Sequence, residues 1–293
     1  MRIFITGASG YVGGVVTEHL IRAGHEVVAL ARSDRARERV EALGATAASG
    51  GLQDLDVLRA GAADADAVVH TAVDYFAGDD LEGDAVRAML DGLQEGGAFL
   101  YTSTGLVYPD TQGVTVDEEH PVAEESSLPF KVAGERQVLD AGHVAGTVIR
   151  PGLVYGRAGS GLLQGMLASA RQQGMIAYVG EGANEWSSVH VDDLAALYAA
   201  VLASRTPGGV VNAAGTERTP MRRIVEAVAA AAGAQAVSLT PEQAAELLGP
   251  LAATLTRSSP LDSGKARRRY GWRPASPSLL DELTTGSYVQ VPA

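Results

Sequence analysis

Three glycines at three-residue spacing, Gly7, Gly10 and Gly13, stand near the start of the chain. Gly7 suits a sharp turn, Gly10 suits close approach of a pyrophosphate to the backbone, and Gly13 suits close packing of a helix on a strand. Free N–H groups and the positive end of the helix dipole attract phosphates at such a turn. The turn lies between an expected strand and an expected helix, which favours a dinucleotide site over an ordinary strand–turn–helix. The neighbours included in this prediction are Ser9, Tyr11 and Val12.

The end of the second expected strand indicates which dinucleotide binds. Arg32 and Ser33 stand there, where a carboxylate would bond the ribose 2′-hydroxyl of NAD. A guanidinium and a hydroxyl can hold a 2′-phosphate, with Arg35 or Arg37 as outer contacts. We therefore expect NADP(H) rather than NAD(H), with a solvated surface charge as the alternative interpretation of Arg32.

The composition argues against several classes of function. The 293 residues include 35 acidic and 23 basic side chains and no cysteine, and the net charge is −12. An acidic surface disfavours nucleic acid and anionic membranes as partners, and without cysteine there are no thiolate metal sites or disulfides. No apolar run approaches the ~20 residues of a membrane span, and the chain opens on a strand rather than a signal peptide. We expect a cytoplasmic protein with a small-molecule substrate.

Short β-branched segments alternate with amphipathic helices over about the first 150 residues. The expected strands are residues 2–6, 26–31, 45–48, 67–70, 98–103 and 146–150. This alternation requires crossover connections, so it predicts an α/β fold with a doubly wound parallel Rossmann sheet. We expect residues 1–155 to form the dinucleotide-binding domain, its sheet completed by part of 188–215. Residues 156–293 are expected to form mainly a small C-terminal α/β substrate-binding lobe.

Five further motifs occur in order along the chain. They are residues 68–72 (VVHTA), 101–108 (YTSTGLVY), 150–156 (RPGLVYG), 189–193 (VHVDD) and 270–274 (YGWRP). With the glycine turn, they resemble the extended short-chain dehydrogenase/reductase family, which is epimerase/dehydratase-like, over essentially the whole chain. The resemblance implies further cofactor contacts at Leu52, Thr71, Ala72, Lys131, Pro151, Gly152 and Val154. It also implies an aspartate after the third strand, where this chain has Gly51, so one hydrogen bond to adenine is expected to be lost.

The family's chemistry depends on a Tyr-x-x-x-Lys helix and an upstream hydroxyl. Lys131 matches the lysine, but Ser127 stands where the tyrosine is expected, so the chain resembles an atypical branch that lacks this tyrosine. Thr104 matches the upstream hydroxyl, and Ser103 precedes it. A serine hydroxyl is far less acidic than a phenol and cannot simply replace it as general acid. The predicted catalytic positions are Thr104, Ser103, Lys131 and Ser127, with no metal.

Aromatic and imidazole side chains in the later motifs are candidates for substrate contacts. They are Tyr75, Tyr108, Tyr155, Trp186 and His190. Packing in the core is the alternative interpretation for each.

The leading hypothesis is an NADP(H)-dependent oxidoreductase acting on a small carbonyl compound or alcohol. Water or another side chain would deliver the proton that the tyrosine normally supplies. Two alternatives remain open: a non-redox isomerase, dehydratase or cyclase with a structural cofactor, and a non-catalytic dinucleotide-sensing protein. The resemblance is compatible with a homodimer.

Overall fold

The computed structural model describes residues 1–74, 80–123, 126–204 and 206–289, so Tyr75 lies outside the described residues. The strands are β1 (Arg2–Thr6), β2 (Glu26–Ala31), β3 (Thr46–Ser49), β4 (Ala67–His70), β5 (Ala98–Thr102), β6 (Ala145–Pro151), β7 (Leu153–Tyr155), β8 (Met175–Val179), β9 (Glu185–His190), β10 (Gly209–Ala213), β11 (Arg218–Pro220) and β12 (Gln235–Leu239). The helices are α1 (Tyr11–Arg22), α2 (Asp34–Ala42), α3 (Leu55–Ala63), α4 (Asp80–Gly92), α5 (Pro129–Asp140), α6 (Gly161–Gln173), α7 (Val191–Ser204), α8 (Met221–Ala232), α9 (Pro241–Leu248), α10 (Pro250–Thr256), α11 (Gly264–Tyr270) and α12 (Leu279–Thr284). None of the helices within the described ranges combines the length and apolarity needed to cross a membrane.

The central layer is a seven-stranded parallel sheet in the order β10-β6-β5-β4-β1-β2-β3. It confirms the predicted doubly wound Rossmann fold. Strands β1, β2 and β4 begin and end at the predicted residues, and β3, β5 and β6 differ by one residue at one or both ends. The seventh strand, β10, comes from the C-terminal half of the chain. The strand order reverses between β1 and β4, which is where ligands bind in open α/β sheets.

Helices cover both faces of this sheet. The apolar side chains of α1, α2 and α7 form one core with it, and those of α3, α4 and α5 form a second core on the opposite face. Strand β1 is buried from both sides, and Ile3, Phe4 and Ile5 have no exposed surface. This double burial is typical of parallel sheets between two helical layers.

The second half of the chain contributes to two parts of the molecule. A third core joins α6, α8 and α12 beside the parallel pair β8–β12. The remaining strands form a three-stranded sheet, β11-β9-β7. Along the chain, each of them connects an element of this lobe to the large sheet or one of its helices. The chain also returns to the large sheet, because α7, β10, Ala266 of α11 and Trp272 all pack with the first core or pair with its strands.

Helix α5 packs against β5 at Gly134, where there is no room for a side chain. A Cβ atom added at Gly134 would lie 2.7 Å from Cζ of Tyr101, closer than real Cβ contacts allow. Gly165, in the exposed interior of α6, would place its Cβ atom in open space. The same substitution therefore has opposite consequences at the two positions.

We expect Gly134→Ala to lower the free energy of unfolding by about 1–3 kcal/mol, because the new methyl group overpacks the α5–β5 contact. Gly165→Ala should raise it by about 0.5–1 kcal/mol, because alanine is the better helix former. Urea unfolding monitored by circular dichroism measures both. Equal effects of the two substitutions would contradict the close packing of α5.

Candidate functional site

The glycine turn joins the ends of β1 and β4 to the start of α1. Gly7 has a φ of +80°, and a Cβ atom there would lie 2.6 Å from Thr71 Oγ1. A Cβ atom at Gly13 would lie 2.6 Å from the carbonyl carbon of Gly7. Thr71 Oγ1 donates a hydrogen bond of 2.8 Å to the carbonyl oxygen of Thr6. Only glycine fits at positions 7 and 13, as the spacing predicts.

The turn opens into a cleft of about 460 Å³. Helix α1 begins beside it with Gly10 as N-cap and without a side-chain cap from the described residues, so its first N–H groups are available for an anion. The predicted cofactor residues that line the cleft are Gly7, Ser9, Gly10, Tyr11, Val12, Gly13, Arg32, Leu52, Thr71 and Ala72. The chain thus has the backbone cradle and the space that a dinucleotide pyrophosphate needs.

The arginines around the cleft have different roles. Arg32 is exposed, lines the cleft and makes no hydrogen bond or ion pair with any residue that the structure describes. Arg37 instead donates to Ser49 Oγ and lies 3.9 Å from Glu41. Arg39, which the sequence analysis did not single out, donates to the carbonyl oxygen of Ser9 over 3.3 Å.

Ser33 caps α2 rather than lining the cleft. Its side chain accepts a hydrogen bond of 3.2 Å from the N–H of Ala36. At the other end of the cleft, the N–H of Gly51 donates to Asp54 Oδ2 over 2.7 Å. Gln53 places an amide side chain in the wall beside Leu52, a polar group that the sequence analysis missed. The remaining lining residues are Leu30, Gly50, Gly51, Val73, Asp74, Leu81 and Gly161.

A second cavity of about 410 Å³, which we call the substrate cavity, adjoins the cleft. Val12, Thr71 and Val73 line both spaces, so the two are direct neighbours. The predicted residues in its wall are Ser103, Thr104, Lys131, Pro151, Gly152, Val154 and Trp186. The structure therefore brings three of the four predicted catalytic positions together.

Lys131 is buried and ion-paired. Its Nζ donates to Glu82 Oε1 over 2.7 Å and to the carbonyl oxygen of Thr102 over 3.1 Å. Glu82, on α4, also accepts a hydrogen bond from the Tyr101 phenol. Burial lowers the pKa of Lys131, and the Glu82 carboxylate partly opposes this shift. Lys131 is the one titratable side chain among the described residues that line the substrate cavity.

The two predicted catalytic hydroxyls in the wall, those of Ser103 and Thr104, differ in the direction of their hydrogen bonds. Ser103 Oγ donates to Glu135, whose carboxylate is held by Arg150 with an Nε–Oε1 distance of 2.9 Å. The Ser103 proton is therefore used inside the protein. Thr104 Oγ1 instead accepts from the N–H of Leu106 over 3.2 Å. Thr104 keeps its O–H as a donor toward the cavity, whereas Ser103 offers lone pairs.

A neutral histidine lies behind Lys131. His70, at the end of β4, is fully buried, and its Nδ1 lies 2.7 Å from Thr6 Oγ1. Its ring stacks on Tyr101 with 5.7 Å between centroids. Burial, with a contribution from Lys131, lowers the pKa of His70 to about 3. This side chain therefore adds no charge to the site at neutral pH.

Ser127 does not join the other predicted catalytic residues. Helix α5 begins at Pro129, and the residue before a proline avoids the helical conformation. Ser127 therefore precedes the helix instead of lying one turn before Lys131. It is exposed and outside the set of described residues that line either cavity.

Three predicted substrate residues also lie elsewhere. The Tyr108 phenol is fully buried and donates to Asn212 Oδ1 over 3.0 Å. Tyr155 and His190 line a separate polar cavity of about 220 Å³ near the C-terminal segment. Their packing interpretation fits better, because the two rings contact edge to face with 5.3 Å between centroids. Of the predicted substrate residues, Trp186 alone lines the substrate cavity within the part of the chain that the structure describes.

The substrate cavity is completed by residues that were not predicted as site residues, although the first four of them lie within two of the motifs. They are Thr102, Gly105, Leu106, Leu153, Leu162, Ser187, Thr254, Leu255 and Ser259. The described residues contain no group of three or more His, Asp or Glu side chains placed to hold a metal ion.

Comparison with known proteins places this site in a family. The chain is 31% identical to uncharacterized protein YLL056C of Saccharomyces cerevisiae, over 97% of this chain and 98% of that protein. It is 28% identical to a 2-alkyl-3-oxoalkanoate reductase of Stenotrophomonas maltophilia, over 81% of this chain and 77% of that protein. The structure of the dTDP-glucose 4,6-dehydratase DesIV from Streptomyces venezuelae has the same fold, with a TM-score of 0.80 at 20% identity over 99% and 96% of the two chains. Residues 3–214 match the model of the NAD dependent epimerase/dehydratase family, and the chain belongs to that family.

Proposed function

We propose that this protein is an NADP(H)-dependent oxidoreductase that interconverts a small carbonyl compound and its alcohol. The adjacency of the cleft and the substrate cavity carries this proposal. Val12, Thr71 and Val73 line both spaces, so a dinucleotide held over the glycine turn adjoins Thr104 and Lys131. The similarity to a 2-alkyl-3-oxoalkanoate reductase supports carbonyl reduction as the reaction class.

When bound, the nicotinamide supplies a hydride for the carbonyl carbon of the substrate. The Thr104 O–H donates a hydrogen bond to the carbonyl oxygen and stabilises the negative charge that develops there. Ser103 accepts a hydrogen bond from the product hydroxyl, because its own proton is held by Glu135. Thr104 and Ser103 can take these roles while they keep their present hydrogen bonds to Leu106 and Glu135.

Lys131 takes the role of proton donor in this mechanism. Two of the three N–H groups of its ammonium are used by Glu82 and Thr102, and the third is left for the substrate oxygen. Transfer of this proton forms the alcohol and leaves a neutral amine, which regains a proton from water. The lowered pKa of Lys131 makes its ammonium a stronger acid than an exposed lysine.

The basic test is NADPH absorbance at 340 nm with a panel of small aldehydes and ketones. Consumption of one NADPH per alcohol formed is the expected result. Product formation without NADPH consumption would favour a non-redox isomerase or dehydratase, which the missing tyrosine keeps as the second candidate. Tight NADPH binding without turnover of any compound would contradict both enzymes and favour a sensing protein.

Arg32 is expected to select the phosphorylated cofactor. Arg32→Ala should weaken NADPH binding on the order of 10- to 100-fold, as expected for loss of a hydrogen-bonded charge, and leave NADH binding unchanged. Isothermal titration calorimetry with both cofactors measures this difference. Arg171→Ala is the matched control, since it removes the same charge from an exposed arginine of α6 that is not among the described lining residues of the cleft. An equal loss in both variants would point to general electrostatics instead of a 2′-phosphate contact.

The pH dependence of kcat tests Lys131 as proton donor. Reduction requires the ammonium form, so kcat should fall as the pH rises through a pKa that lies below the 10.5 of a free lysine. Glu82→Gln should move this alkaline limb to lower pH, because the carboxylate raises the pKa of Lys131. If Glu82 had a purely structural role, the pH at which kcat falls on the alkaline side would not change in this variant.

A paired substitution separates proton donation from folding. Lys131→Met together with Glu82→Gln removes both charges and leaves no buried ion alone. We expect kcat to fall on the order of 100- to 10,000-fold, with a residual rate that no longer shows the alkaline limb. Circular dichroism checks that the double variant is folded. An unchanged alkaline limb in this variant would exclude Lys131 as the proton donor.

A further inference from the structure

We propose that the substrate is an uncharged, mainly apolar carbonyl compound, and not a nucleotide sugar or a keto acid. This inference rests on the proposed function and specifies the class of compound that the substrate cavity accepts. It follows from the chemistry of the wall, from its charges and from its size.

The wall away from the cleft is largely hydrocarbon. Its apolar side chains are Leu106, Leu153, Leu162, Trp186 and Leu255. The indole Nε1 of Trp186 donates to the carbonyl oxygen of Arg257 over 2.9 Å, so its polar atom is already paired within the protein. Ser187 Oγ accepts from the N–H of Leu261 over 2.9 Å and, like Thr104, keeps its O–H as an uncharged donor. A ligand here meets mainly apolar surface and uncharged hydroxyls.

Apart from the Lys131 N–H that is left for the reacting oxygen, the part of the wall that the structure describes offers no unpaired cation to an anionic group of the substrate. Lys131 is the one charged side chain in it among the described residues, and Glu82 neutralises it at 2.7 Å. Two nearby arginines are engaged elsewhere, because Arg150 is paired with Glu135 and Arg257 donates to the carbonyl oxygen of Tyr108. A diphosphate or carboxylate moved from water into this cavity would lose its hydration without gaining a counter-ion. Such a transfer is strongly unfavourable.

The size of the cavity also favours a small substrate over a nucleotide sugar. Its volume of about 410 Å³ is near the lower end of the roughly 300–1,000 Å³ found for small-molecule pockets. Part of its wall also borders the cleft, through Val12, Thr71 and Val73, so the dinucleotide takes some of this space. What remains suits one ring or a short alkyl chain beside the carbonyl group.

A matched pair of compounds tests the inference directly. A 3-oxo ester and the corresponding 3-oxo acid share the reacting ketone and differ in charge, and UDP-glucose represents the nucleotide sugars. We expect kcat/KM with NADPH to be on the order of 100-fold higher for the ester than for the acid, and no binding of UDP-glucose. Preferential reduction of the acid would overturn the inference and leave the proposed function intact.

A substitution in the wall should reverse this preference. Leu162 lines the cavity and is 36% exposed, so Leu162→Lys adds a cation without burying it. This variant should lose kcat/KM for the ester and gain it for the acid. Leu139→Lys is the matched control, because Leu139 is 41% exposed on α5 and is not a described residue of the cavity wall. Equal changes in the two variants would overturn the assignment of Leu162 to the substrate site.

Tryptophan fluorescence gives a readout that does not depend on turnover. The protein contains two tryptophans, and Trp186 lies in the wall, so ligand binding should change its emission. With NADP⁺ present, the ester should bind more tightly than the acid, and Trp186→Phe should abolish the signal. Ester binding without NADPH consumption would retain the inference and refute the proposed function. Equal binding of ester and acid, or no binding of the ester, would refute the inference itself.

Discussion

The contact between the start of α1 and the ends of β1 and β4 determines where this protein can bind a ligand. Gly7 and Gly13 leave no room for a side chain, and the Thr71 hydroxyl bonds the carbonyl oxygen of Thr6 across the gap. This close approach lies where the strand order reverses, so it leaves an opening at the carboxyl edge of the sheet. The cleft and the substrate cavity both extend from this opening. Their positions thus follow from backbone packing before any side chain acts.

Buried charge is the second constraint on the site. Lys131 and Arg150 are nearly fully buried, and each requires an anion nearby because a lone buried charge is very costly. Helices α4 and α5 supply the carboxylates Glu82 and Glu135. Each carboxylate also accepts a hydrogen bond from a β5 residue or its neighbour, Tyr101 and Ser103 respectively. The end of β5 is thereby fixed between two ion pairs, and the cavity in front of it has little net charge.

The sequence predicted the features that depend on local spacing. The strand alternation and the backbone geometry of the glycine turn are both confirmed. The pairing of Lys131 with Glu82 escaped prediction, because 49 residues separate the partners and no spacing rule relates α4 to α5. Tyr108 belongs to a recognisable motif, but its direction is set by Asn212, 104 residues away. Local patterns identify elements, whereas distant partners orient the side chains.

The loss of the family's tyrosine and the presence of Glu82 are connected by charge balance. In the family's Tyr-x-x-x-Lys motif, the lysine lowers the pKa of the tyrosine and so stabilises the anionic form of its phenol. Here Ser127 precedes the helix and no phenol is among the described residues that line the cavity, so that source of negative charge is gone. A buried lysine without an anion would lose its proton or destabilise the fold. Glu82 supplies an anion 2.7 Å from Lys131 instead, and its charge favours the ammonium form of the lysine. In the mechanism proposed above, the ion pair that a buried lysine requires therefore also holds the proton that the tyrosine would otherwise donate.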